Sequence, residues 1–142
     1  KLKLALAYGF TPIVCIGEKV RDEDFRGFLK GQINSTFAGL SGEQIKKCLI
    51  VYEPVWAIST NPGARPDIPE NALESIKIID DTLVENWKLK IENLPKILYG
   101  GSVDSKNVVD FVSLPEIDGV LVGGASVDKD EFKKIIGVSL NV

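Results

Sequence analysis

No histidine and no methionine occur among the 142 residues, and the chain opens on Lys1. Without an imidazole it cannot supply a Ser–His nucleophile pair, an imidazole electrophile or a histidine-ligated metal site. Translation starts on methionine, so a chain that opens on lysine is read as a processed or excised piece. Cysteine is scarce. Cys15 and Cys48 each sit in an apolar run, which predicts buried free thiols in a reducing, cytoplasmic setting rather than a disulfide or a metal site. Charge of one sign is lacking as well. Lys and Arg total 17 against 20 Asp and Glu, a net charge of −3. The cations are scattered, which excludes a nucleic-acid groove and a polybasic membrane patch. No apolar run is long enough to cross a bilayer.

What is present fits one globular unit. Hydrophobic residues make up 44% and charged residues 26%, enough apolar material for a core. Residues 1–142 are therefore read as a single domain. Four short apolar runs lie at 13–16, at 49–52 with 55–58 just beyond, at 97–99 and at 120–122. They are rich in β-branched residues and do not alternate with polar ones, so they are expected to be buried strands. Helical stretches fall at 1–8, 23–37, 41–47, 70–92, 105–112 and 129–136. Phe25, Leu29, Ile33 and Phe37 are spaced by fours. Ser41 and Gln44 match a capping box, and Pro69 precedes the longest helix. The order α-β-α-β-α-β-α-β-α predicts parallel strands joined by crossover helices. The nearest approach to a long loop is "STNPGARPDI" at 59–68.

One internal echo points to chemistry. "LYGGSVD" at 98–104 is repeated as "LVGGASVD" at 121–128. Each places two glycines after a strand and an aspartate suited to cap the next helix. Glycine lets backbone amides approach a ligand closely, and a helix N-terminus beyond favours an anion, phosphate above all. A glycine pair can also serve only to turn the chain. Two pairs in register favour a phosphate site at one end of the sheet.

Glu53, in "VYEPVWAIST", falls at the C-terminal end of its strand among Val51, Pro54, Val55 and Trp56. Partial desolvation there would raise its pKa toward the range of a general base. A salt-bridged or solvent-facing glutamate is the other reading that spacing alone leaves open. Pro54 and the loop after it suit a hinged segment.

"TPIVCIGE" (11–18), "YEPVWAI" (52–58), "ILYGGSV" (97–103) and "IDGVLVGGAS" (117–126) closely resemble triosephosphate isomerase, in that family's order and at roughly its spacings. The resemblance implies the C-terminal half, strands five to eight, of a (β/α)8 TIM barrel. It implies interconversion of dihydroxyacetone phosphate and glyceraldehyde 3-phosphate with no cofactor and no metal. Glu53 resembles the family's general base. The segment after Trp56 resembles the mobile lid of that family, itself a well-known example of a tuned base beneath a closing loop. Ser102 and the amides of Gly123 and Gly124 resemble the phosphate grip, with Ser59 a further donor. Tyr99 resembles the lid's latch. Cys15 and Glu18 resemble structural residues behind the site.

Two departures from the family matter. Its asparagine, lysine and histidine come from the other half of the barrel, so the isolated chain is expected to be inactive. The lid reads Ser59-Thr60-Asn61 with extra residues before Pro69, where the family has Gly-Thr-Gly. Half a barrel also leaves two open strand edges and an uncovered inner face. The chain is therefore expected to self-associate, to pair with an N-terminal half, or to order only partly. The intact family is usually a homodimer. The alternative from another class is a non-catalytic phosphate-binding or assembly half-barrel.

Overall fold

The four apolar runs become four parallel strands in the computed structural model, which describes residues 1–140. They are β1 (Ile13–Ile16), β2 (Leu49–Tyr52), β3 (Ile97–Tyr99) and β4 (Gly119–Val120). Their order in the sheet is β1-β2-β3-β4. Ile16 lies opposite Tyr52, Tyr52 opposite Tyr99, and Tyr99 opposite Val120. Neighbours in sequence are thus neighbours in the sheet, as strands five to eight of a (β/α)8 barrel require.

Six helices accompany the strands: α1 (Leu2–Ala7), α2 (Phe25–Phe37), α3 (Gly42–Ile45), α4 (Pro69–Trp87), α5 (Val108–Val112) and α6 (Lys129–Ser139). The i, i+4 spacing in α2 puts Phe25, Leu29, Ile33 and Phe37 on one buried stripe. That stripe packs on α4, which buries Ala72, Ile76, Ile79 and Leu83 among others. Each such large side chain contributes about 1.5–3 kcal/mol through burial. Trp87 closes the end of this layer. Its ring meets Phe37 edge-on at 6.1 Å, and its Nε1 donates to the carbonyl of Leu40 at 3.0 Å. The capping box at Ser41 forms as expected, with both reciprocal bonds to Gln44.

Several boundaries differ from the sequence reading. Residues 55–57 form a short 3₁₀ helix, not strand. Pro54 cannot donate to a sheet ladder, so the chain leaves the sheet there. The longest helix stops at Trp87, because Lys88 takes a left-handed conformation (φ 55°) and caps it. The α5 helix begins at Val108, after a turn held by Asp104. The last strand covers only Gly119–Val120.

The strands are also less evenly buried than expected. The centre of the sheet is covered, with Ile50, Val51 and Tyr52 inaccessible. At the β1 edge, Ile13 is 54% exposed and Cys15 is exposed. Side chains alternate between faces of a strand. Ile13 and Cys15 point away from the helices, while Ile16 points into the core. Only Cys48 is a buried thiol, so the expectation of two buried cysteines fails at Cys15.

Candidate functional site

Glu53 is held by its backbone at the point where three strands end together. Its N–H donates to the carbonyl of Ile16 at 2.8 Å, and the N–H of Gly100 donates to the carbonyl of Tyr52 at 2.8 Å. The approach is close. A Cβ on Gly17 would lie 1.9 Å from the Glu53 carbonyl oxygen, and one on Gly100 would lie 2.5 Å from Val51 Cγ1. Glycine is therefore required at both positions to let the chains meet around the acid.

The Glu53 side chain is half-buried. Among the described residues no Lys or Arg pairs with it. Cys15 is its neighbour. Partial desolvation, then hydrogen bonding to Glu53 and its charge, push the Cys15 thiol up to about 11. At neutral pH Cys15 is thus a protonated thiol beside the carboxylate.

The segment after Glu53 is anchored at its root. Glu18 is fully buried, and its Oε1 accepts from Tyr52 Oη and Trp56 Nε1, each at 2.9 Å. Arg21 pairs with the same oxygen at 3.3 Å, while Oε2 has no partner. Arg21 also donates to Ser75 Oγ at 3.0 Å and pairs with Glu74. A buried carboxylate is tolerated because it is paired and hydrogen-bonded. Here it holds the Trp56 indole in place.

Further along, the loop is fastened to the first glycine junction. The Ser59 amide donates to Ser102 Oγ at 2.7 Å, and Ser102 Oγ donates to the Ala57 carbonyl at 2.7 Å. The far end of the loop is tied to Tyr99. Its hydroxyl donates to Asp67 Oδ2 at 3.2 Å, and Asn71 Nδ2 donates to Asp67 Oδ1 at 3.0 Å. Desolvation raises the Asp67 carboxyl above its ordinary range, opposed by these hydrogen bonds. The Tyr99 ring itself is buried, stacked on Phe111 at 4.0 Å. Burial pushes its hydroxyl well above the ordinary tyrosine range.

The second junction caps its helix as expected, through Asp128, whereas at the first the N-cap of α5 is Asn107, without a side-chain cap bond, and Asp104 holds the turn before it. Asp104 Oδ1 accepts the amides of Lys106 and Asn107 at 2.8 and 3.1 Å. Asp128 accepts the amides of Asp130 and Glu131 at 2.9 and 3.0 Å, which hold its carboxyl below the usual range. Gly124 opens a short 3₁₀ helix, Gly124–Val127. Its N–H therefore has no partner within that helix.

These pieces enclose one cleft of about 750 Å³ at the C-terminal ends of the strands. Glu53, Ser59, Ser102, Gly123 and Gly124 all line it. The donors of Ser59 and Ser102 engage each other and Ala57, whereas Gly123 and Gly124 face open space. A smaller cavity of about 490 Å³ opens at the other end of the sheet, beside Phe10, Lys46, Leu49 and Lys96. It contains none of the five. Among the described residues no His, Cys, Asp and Glu cluster could hold a metal ion, and no helix is long and apolar enough to cross a membrane.

Two cleft residues were missed from the sequence. Asn107 donates to the Ser102 carbonyl at 3.1 Å and accepts the Asp104 amide at 2.9 Å, bracing the turn. Arg65 reaches the cleft from the loop 59–68. Its signal was available, since it is the one cation in 59–68.

The family model described as triosephosphate isomerase matches residues 1–139. Curated relatives named triosephosphate isomerase from Streptococcus pyogenes serotype M49 (strain NZ131) and serotype M1 are each 35% identical over 139 residues. The match covers 96% of this chain and 54% of each relative, so the chain spans about half the length of the curated relatives it matches. With four strands in sequential order and one cleft at their C-terminal ends, the chain belongs to the triosephosphate isomerase family.

Proposed function

We propose that this chain provides the C-terminal half of a triosephosphate isomerase site, with Glu53 as the general base. The observation that carries this reading is the convergence of Glu53, Ser59, Ser102, Gly123 and Gly124 on one cleft. In a complete barrel, Glu53 takes a proton from the carbon next to the substrate carbonyl and returns it to the neighbouring carbon. Dihydroxyacetone phosphate and glyceraldehyde 3-phosphate interconvert without a cofactor. The open amides of Gly123 and Gly124 receive the phosphate, joined by Ser102 and by the Ser59 amide once they release each other. Cys15 keeps its proton and can donate to the Glu53 carboxylate, which holds the base in position.

The chain alone lacks the means to complete the reaction. It contains no histidine to donate to the developing enediolate, and such donors are worth about 2.7–4 kcal/mol of barrier each. The family's lysine comes from the other half as well. The partner is therefore an N-terminal half-barrel, which would cover the exposed edge at Ile13 and Cys15; a second copy of the chain is the other candidate. The setting is the cytoplasm, and the complete enzyme is a homodimer.

The decisive experiment mixes the chain with a matching N-terminal half and follows isomerisation in a coupled assay. Turnover is expected from the mixture, from neither half alone, and not from a mixture carrying Glu53→Gln. Equal turnover with Glu53→Gln would remove Glu53 from the base role. The mutual bond between Ser59 and Ser102 favours one second reading, a non-catalytic phosphate-binding or assembly half-barrel. Phosphate binding by the mixture with no turnover would select it.

A further inference from the structure

We propose that Arg65 supplies, from the lid, the positive charge that meets the substrate's phosphate. This deepens the reading above and rests on it, because it concerns the same cleft. Among the described residues that line the cleft, Arg65 is the one cation, and Glu53 and Asp104 are the acids. A phosphate dianion entering beside Glu53 meets repulsion unless a cation is close. Asp104 is already turned to the amides of its own turn. Arg65 has no such engagement. Among the described residues no carboxylate forms an ion pair with it.

Its position is built rather than incidental. The Arg65 amide donates to the Trp56 carbonyl at 3.1 Å. Pro66 restricts its backbone to extended conformations. The guanidinium lies over the Trp56 ring, 5.0 Å from its centre, and Trp56 is itself fixed by Glu18. Stacking uses the guanidinium's flat face and leaves its edge N–H groups free to donate. A planar fork of donors fits two phosphate oxygens at once. The extra residues of this lid thus bring a charge to the cleft that Gly123 and Gly124 also line. The ligand class is a phosphate monoester dianion.

The test is calorimetric titration of the chain with inorganic phosphate and with glycerol phosphate, at low and raised salt. Arg65→Lys keeps a charge, whereas Arg65→Met keeps only the stem that packs on Trp56. Arg65→Met is expected to weaken binding about tenfold, the size of one charge-assisted contact, and to flatten its salt dependence. Arg65→Lys should retain part of both. Unchanged affinity in Arg65→Met would show that the side chain only covers Trp56, and would overturn this proposal alone. Equal loss in Arg65→Lys and Arg65→Met, with salt dependence intact, would overturn it in the same way. Absence of binding by the unsubstituted chain would overturn both this proposal and the phosphate reading of the cleft.

Discussion

The two glycine junctions share a sequence and differ in packing. In residues 98–104 the glycines are buried. A Cβ on Gly101 would lie 2.1 Å from Tyr99 Oη, and Gly100 is pressed against Val51. In residues 121–128 both glycines are exposed, and a Cβ on either would meet nothing within 4 Å. The first junction lies beside the central strands and is hydrogen-bonded to the loop after Glu53. The second leaves the edge strand β4. The same motif therefore does two jobs. At the first, glycine makes room for Tyr99 and Val51. At the second, it leaves the turn exposed. Position in the sheet, rather than the motif, decides which.

The largest expected effect comes from filling the crowded junction. Gly101→Ala should cost about 3 kcal/mol in urea denaturation, since the Tyr99 ring must move and its stack on Phe111 is rigid. A cost below about 0.5 kcal/mol, typical of an open surface site, would erase the distinction between the junctions. Next is Ser102→Ala, which removes the acceptor of the Ser59 amide and one of the two donors to the Ala57 carbonyl, the Ser102 amide remaining at 3.2 Å. We expect a loss of about 1–2 kcal/mol and faster amide exchange at Ser59. Exchange unchanged at Ser59 would show that the loop is not fastened there.

A third prediction concerns the strand that feeds the second junction. Burial, then the charges of Asp81 and Asp118, push the Asp80 carboxyl from 3.8 up to about 6. Asp118 immediately precedes β4 and accepts the Ile97 amide at 2.8 Å. A raised carboxyl pKa means that the folded chain holds its proton longer than the unfolded chain. Stability is then lost as pH rises from about 4 to about 6. Asp80→Asn should stabilise the fold at pH 7 by about 1 kcal/mol, allowing for solvent screening, and have no effect at pH 4. The same gain at both pH values would exclude the charge as its cause. The smallest effect on stability is expected at Gly124→Ala, within about 0.5 kcal/mol. Its phosphate affinity should fall nonetheless, because a Cβ would project where the anion approaches. Unchanged affinity would give the second junction a turning role only.

Much of the fold was readable from the residues because the signals were local. The fours in α2, the capping box at Ser41 and the helix-capping aspartate at 128 each depend on neighbours within a few positions. Glu53 at a strand end was readable for the same reason. What failed depended on contacts distant in sequence. The packing difference between the junctions comes from Val51, Tyr99 and the sheet edge. The exposure of Cys15 comes from the uncovered face of an edge strand. The end of α4 at Lys88 lacked the usual glycine, so only the backbone reveals its left-handed cap. Arg65 stands out in the sequence as the one cation of 59–68, but its place over Trp56 is a tertiary fact.

The central claim is that the carboxylate of Glu53 and the open junction face one phosphorylated ligand. The most direct measurement is an amide NMR titration of the chain with 2-phosphoglycolate. Shifts are expected at Gly123, Gly124, Ser102 and Glu53. Shifts confined to Lys46, Lys47 and Lys96, around the cavity at the opposite end of the strands, would contradict the claim.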